Sequence, residues 1–112
     1  MKATKYTAEE VLAIHNEALA HAKEAEETYV RLHGEDWFCG FAWVKVLNAR
    51  SSFARQLVKL GVAEKAWDKG IDIWNPTGNP TQCMNIKEAG ASAYAEVLRR
   101  HLIQAWMQSR AD

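Results

Sequence analysis

The first third of the chain has the hydrophobic spacing of a long helix. Thr7 and Glu10 form a capping box ahead of it, and Gly34 supplies a left-handed C-cap. We therefore predict a helix from Thr7 to about Leu32, with a Glu-rich solvated face opposite its apolar stripe. The stripe consists of Val11, Leu12, Ile14, Ala18, Leu19, Ala22, Ala25, Tyr29 and Leu32.

The middle of the chain alternates with a period of two, which is typical of strands. Residues 41–47 form the first predicted strand, with Phe41, Trp43, Lys45 and Leu47 on one face. Residues 71–74 form the second. The Pro- and Gly-containing segment 75–80 is a turn, and residues 81–86 are predicted to form a third strand that closes a hairpin.

Two more helices are predicted. A short one begins at Ser51 or Ser52 and ends at Gly61, and the last begins with Asn85 as N-cap and Glu88 completing a capping box. The apolar spacing continues this helix to Ala105. The predicted fold is α+β, in the order α-β-α-β-β-α. A three-stranded, mostly antiparallel sheet packs with two long helices and one short helix, and residues 1–112 form a single domain.

Charge and composition narrow the possible functions. The formal net charge is zero, which argues against a protein that grips nucleic-acid backbones. Residues 1–36 carry four basic and eight acidic residues, whereas residues 37–112 carry ten and six. No apolar run is long enough to span a membrane, and the lysines of the N-terminus precede no signal core. We therefore predict a cytoplasmic protein with reduced thiols.

Tryptophan is unusually abundant, with five residues in 112. A core of this size rarely hides five indoles, so at least one is expected at a contact surface. Trp37, Trp43 and Trp74 are the candidates for partner binding. Near the chain end, Ile103, Trp106 and Met107 are either additional core or a seam through which the C-terminal helix forms a homo-oligomer.

The segment around the predicted turn has the chemistry of a ligand site. Trp74 offers an aromatic face, and Asn75, Thr77 and Asn79 offer amides and a hydroxyl. The same residues also fit a plain hairpin turn.

Arg50 and Arg55, in and beside the short helix, can hold phosphate or form a solvated surface. With Trp43 and Trp74 as stacking faces, these arginines would make the chain a binder of a small anionic ligand such as a nucleotide.

Catalytic signatures are absent from the sequence, which disfavours an enzyme without excluding one. Cys39 can be a nucleophile with His33 or Asp36 as its base, or it can be a small buried hydrophobe beside a strand. No spacing of cysteine and histidine predicts a metal site, and we predict no cofactor.

Four sequence motifs resemble those of small uncharacterised phage and prophage proteins. They are Cys-Gly-Phe-Ala-Trp-Val at 39–44, Ile-Trp-Asn-Pro-Thr-Gly at 73–78, Thr-Gln-Cys at 81–83 and Lys-Glu-Ala-Gly-Ala at 87–91. The resemblance covers residues 37–100 and carries no activity, cofactor or site residue. It implies only a setting, the cytoplasm of an infected bacterium. The resulting prediction is a binding protein that engages and perturbs a host protein, in counter-defence or host takeover.

Overall fold

The computed structural model describes residues 5–112, which form three helices and four strands. These are α1 Ala8–His33, β1 Gly40–Val46, α2 Ser52–Lys59, β2 Glu64–Lys65, β3 Ile71–Trp74, α3 Met84–Arg100 and β4 Ala105–Ala111. The α+β class and the three helices are confirmed. None of the helices in residues 5–112 is long and apolar enough to cross a bilayer.

The sheet has the strand order β2-β3-β1-β4, and each neighbouring pair is antiparallel. Strands β1 and β2 flank β3, so α2 connects two strands that are not neighbours, as in split β-α-β units. In the same way, α3 connects β3 to β4 on the other side of β1. This connectivity places β1 in the centre of the sheet, between β3 and β4.

Helix α1 forms where its end signals place it. Thr7 Oγ1 accepts a hydrogen bond from Glu10 N at 3.1 Å, and Thr7 N donates to Glu10 Oε1 at 2.8 Å, so the predicted capping box is present. At the other end, Gly34 has a φ of 72° and its N–H donates to Val30 O. Because both signals are local, the helix could be predicted from the sequence alone.

The core lies between one face of the sheet and the helices. Alternation along β1 turns Ala42, Val44 and Val46 toward it, and α1 packs along α3 through fully buried alanines. The largest fully buried side chains include Phe53 and Leu57 of α2, Ile71 and Ile73 of β3, and Tyr94, Val97 and Leu98 of α3. The opposite face of the sheet is therefore free to carry other residues.

The third predicted strand, at residues 81–86, is wrong. Helix α3 already begins at Met84 with Cys83 as its N-cap, and Asn85 lies inside the helix. Before it, Asn79 Oδ1 accepts from Thr81 N and Thr81 Oγ1 accepts from Cys83 N. These local side-chain bonds occupy donors that a strand ladder would use. Only a single bridge, between Cys39 and Cys83, remains.

The end of the chain is a strand rather than a helix. Helix α3 stops at Arg100, Leu102 takes a φ of 63°, and β4 then pairs with β1 over its whole length. Ile103 and Met107 pack against the core, whereas Trp106 lies 41% exposed on the outer face. The seam expected on a C-terminal helix is therefore not helical, and the sheet has four strands instead of three.

Candidate functional site

The sheet face that points away from the core carries a row of large aromatic side chains. Cross-strand register brings Trp43 opposite Trp74 on one side and opposite Gln108 on the other. We call this surface the aromatic face. It consists of Phe41 and Trp43 of β1, Trp74 of β3, and Trp106, Gln108 and Arg110 of β4.

Two indoles stack at the centre of the aromatic face. The ring centroids of Trp43 and Trp74 are 4.4 Å apart, with 32° between the ring planes. Trp43 Nε1 donates to Gln108 Oε1 at 3.0 Å, which fixes its ring, while Trp74 remains 43% exposed. Trp43 and Trp74, which the sequence suggested as stacking faces for a ligand, thus lie side by side, with Trp74 as the outer ring.

One end of the aromatic face is cationic. Arg110 Cζ and Lys87 Nζ each lie 5.4 Å from the centroid of the Phe41 ring, and Lys87 Nζ also donates to Gly40 O at 3.0 Å. Within residues 5–112, neither cation pairs with a carboxylate. This end is therefore electrostatically complementary to a negatively charged group.

At the other end, the positive charge is neutralised. Lys45 Nζ lies 2.8 Å from Asp68 Oδ1, 2.9 Å from Asp72 Oδ1 and 2.7 Å from Lys69 O. Asp72 Oδ1 is buried, and the Lys45 ammonium lies against it as its counter-ion. Burial alone would lower the pKa of Lys45, but the two carboxylates outweigh it and raise that pKa, so the ammonium stays charged.

The polar groups of the predicted turn site bind within the protein. The Thr77 hydroxyl donates to the carboxylate of Glu26, which is 5% exposed, and Asn79 Nδ2 lies 3.2 Å from Glu26 Oε1. Asn75 Nδ2 donates to Asn79 O at 2.9 Å. A side chain on Gly90 would overlap the same carboxylate. Sequence reasoning missed Glu26 because it lies in a Glu-rich helix.

The remaining predicted site residues lie apart from the aromatic face. Arg50 and Arg55 are exposed at α2, which packs near the start of α1 on the core side of the sheet, where Phe53 contacts Tyr6. They therefore do not join Trp43 and Trp74. Trp37 is 96% exposed in the loop before β1.

No family model, curated protein or solved structure matches this chain. Within residues 5–112, no group of three or more His, Cys, Asp or Glu side chains is arranged to hold a metal ion.

The side chains next to Cys39 differ from those that the sequence suggested for a nucleophilic thiol. Cys39 Sγ donates to Trp37 O at 3.4 Å, and the Asp36 carboxylate instead accepts from Cys83 Sγ at 3.3 Å. His33 stacks on Tyr29 with ring centroids 4.7 Å apart. The geometry thus pairs Cys39 with Cys83 across a β-bridge rather than with a basic side chain.

Proposed function

We propose that this chain is a binding protein whose aromatic face engages a partner protein. In the setting implied by its phage-like motifs, the partner is a protein of the infected host. The observation that carries the proposal is a sheet face with four partly exposed aromatic rings and an arginine that, among residues 5–112, pairs with no carboxylate. Other sheets bury such a face under a second layer, so a partner would take that place here.

The composition of the aromatic face supports a protein partner. Tryptophan, phenylalanine and arginine are enriched at the centres of protein interfaces, where they supply most of the binding energy. The Trp43–Trp74 stack is already ordered by Gln108, so binding would cost little side-chain entropy. Net charge zero also suits a neutral interface better than a polyanion groove.

The two ends of the aromatic face define the chemistry of the partner. The end at Phe41 presents Arg110 and Lys87, whereas Lys45 at the other end is already neutralised. The complementary segment therefore has apolar side chains to cover Trp43, Trp74 and Trp106, with a carboxylate at the position of Arg110. At the Lys45 end, the carboxylates of Asp68 and Asp72 outnumber the single ammonium, so a carboxylate of the partner would gain nothing there.

The proposal can be tested by affinity capture with matched variants. N-terminally tagged protein is incubated with bacterial lysate, and bound proteins are identified by mass spectrometry. A stoichiometric partner should be lost with Trp74→Ala and weakened at least tenfold with Arg110→Glu, as measured with the purified partner. Trp67→Ala is the control, because Trp67 is 96% exposed and belongs to none of the strands that form the aromatic face.

Two results, one of them from the control variant, would contradict the proposal. Capture that survives Trp74→Ala, or that Trp67→Ala reduces equally, would overturn the proposal. The melting temperature of each variant shows whether the fold is intact.

A small anionic ligand is the second candidate, because the exposed ring of Trp74 can stack on a base. The cations available at this face are Arg110 and Lys87, since Arg50 and Arg55 lie elsewhere. A thermal-shift panel of nucleotides separates the two candidates. A saturable stabilisation that requires both Trp74 and Arg110 would favour the ligand.

A further inference from the structure

The two cysteines face each other across the N-terminal end of β1. Cys39 and Cys83 form an isolated antiparallel bridge, flanked by hydrogen bonds from Gly40 N to Gln82 O at 3.2 Å and from Met84 N to Phe38 O at 2.8 Å. Because the flanking residues make the hydrogen bonds, the cysteines occupy a non-hydrogen-bonded position. In such pairs the Cα atoms are about 4.5 Å apart and both side chains lie on one face.

This spacing falls within the range that a disulfide requires, about 4.4–6.8 Å between Cα atoms. Both cysteines are free thiols in this structure. We propose that Cys39 and Cys83 are a reversible dithiol–disulfide pair and that this is a site of oxidative modification. The proposal does not depend on the proposed function, since it involves neither the partner nor the stacked tryptophans.

The surroundings assign different roles to the two thiols. A cavity of about 430 Å³ opens at the pair and is lined by Glu35, Asp36, Trp37, Cys39, Gln82 and Cys83. Cys39 is half-buried, whereas Cys83 is 1% exposed and donates to the Asp36 carboxylate. An oxidant that enters the cavity therefore meets Cys39 first.

The carboxylate next to Cys83 supports this order. Hydrogen bonds from Asn85, Phe38 N and Cys83 hold the pKa of Asp36 below its usual value, so this carboxyl stays ionised. The Cys83 thiol is fully buried and already bonded to this carboxylate, whereas the Cys39 thiol is half-buried at the cavity. Cys83 is thus suited to be the resolving thiol rather than the first nucleophile.

The reaction with a low-molecular-weight disulfide such as oxidised glutathione is balanced. The Cys39 thiolate attacks one glutathione sulfur, which forms a mixed disulfide and releases one glutathione thiolate. Cys83 then attacks the Cys39 sulfur, forms the protein disulfide and releases the second glutathione. The two thiol protons end on the two glutathiones, and the two electrons reduce the oxidant.

The test uses the full chain, fully reduced and then incubated with oxidised glutathione, with intact mass and peptide mapping as readouts. Wild-type protein should lose two hydrogens through a 39–83 linkage and retain no glutathione. Cys83→Ser should stop at one glutathione on Cys39, and Cys39→Ser should stay unmodified. Oxidation should raise the melting temperature by about 5–15 °C, because the bond closes a long loop.

The same incubation in urea is the control for geometry. If the folded bridge brings the thiols together, the linkage should form at least tenfold faster in the folded chain than in the unfolded chain. Equal rates, a stable glutathione adduct on wild type, or linkage between two chains on a non-reducing gel would each overturn the proposal. Because no partner is present, a negative result here leaves the aromatic-face proposal standing.

Discussion

The Thr77 hydroxyl lies 2.9 and 2.7 Å from the two carboxylate oxygens of Glu26, although 51 residues separate these side chains in sequence. The contact fastens the turn after β3 to the middle of α1. Glu26 is nearly inaccessible, and within the described part of the chain its carboxylate accepts hydrogen bonds from two neutral side chains, Thr77 and Asn79. Hydrogen bonds of this kind are expensive to remove because they leave an ionised group unsatisfied.

Replacing Thr77 should therefore destabilise the protein. Thr77→Val keeps the shape and removes the hydroxyl donor, so we expect the free energy of unfolding to fall by about 1–3 kcal/mol in a urea titration. Thr28→Val is the control on α1 itself, because the Thr28 hydroxyl accepts a long hydrogen bond, 3.5 Å, from exposed Arg31 on the same helix. A loss of the same size in both variants would mean that Glu26 does not depend on Thr77.

The stacked tryptophans should give a signal of their own. Two indoles with centroids 4.4 Å apart couple their electronic transitions, so we expect an exciton couplet in the far-ultraviolet circular dichroism spectrum. Trp43→Phe and Trp74→Phe should each abolish it, since coupling needs both rings. Trp67→Phe should preserve it, because that ring is almost fully exposed. A couplet that persists in Trp74→Phe would show that the pair does not stack in solution.

The effects on stability of replacing Lys45 and Asp72, which form the ion pair at the far end of the aromatic face, should be strongly non-additive. Lys45→Met leaves Asp72 buried without its cation, so we expect a loss of about 3–5 kcal/mol. Adding Asp72→Leu should recover much of that loss, because the uncompensated charge is then gone. The measurement is a double-mutant cycle by urea unfolding, with Lys65→Met on exposed β2 as the control. Additive losses would contradict the coupling.

The protein should lose stability in mild acid through His15. Burial lowers the pKa of His15 from its ordinary value of 6.5, and its Nδ1 lies 2.6 Å from the Tyr94 hydroxyl. Below pH 6.5 the unfolded chain therefore binds a proton that the folded chain resists, and the free energy of unfolding falls. The contribution is present above this pH and disappears as the pH falls through the folded-state pKa.

Comparing wild type with His15→Gln between pH 7.5 and 5 measures this effect. One proton accounts for a slope of at most about 1.4 kcal/mol per pH unit. We expect the slope of the wild type to exceed that of the variant. Identical slopes would contradict a role for His15 in the acid sensitivity.

What the sequence revealed depended on how local the signals were. The capping box at Thr7 and the alternation in β1 are each contained within a few residues. Helix α1, strand β1 and the face of β1 that carries Trp43 could therefore be predicted. Strand β4 could not, because residues 94–105 continue a helical spacing and the break at Leu102 uses a non-glycine residue with positive φ. Residues 105–111 are a strand because they pair with β1, which is far away in sequence.

The same limit applied to the candidate site. Trp43 and Trp74 were singled out from the sequence, and the structure brings them into contact. Gln108 and Arg110 were missed because they belong to β4, and Arg50 and Arg55 were grouped with the tryptophans because sequence does not show on which side of the sheet α2 lies. The turn amides resembled ligand donors because Glu26, their internal acceptor, is distant in sequence.

The course of β4 also determines how the molecule can be labelled. Ala111 pairs with Gly40, and Asp112 N donates to Cys39 O at 3.1 Å, so the chain leaves the sheet beside the cysteines and the cationic end at Arg110. A fusion tag or dye attached there would obstruct both the cysteine pair and the cationic end of the aromatic face. Tyr6 instead lies against Ser52 and Phe53, away from the aromatic face. Affinity handles and surface immobilisation therefore belong at the N-terminal end of the chain.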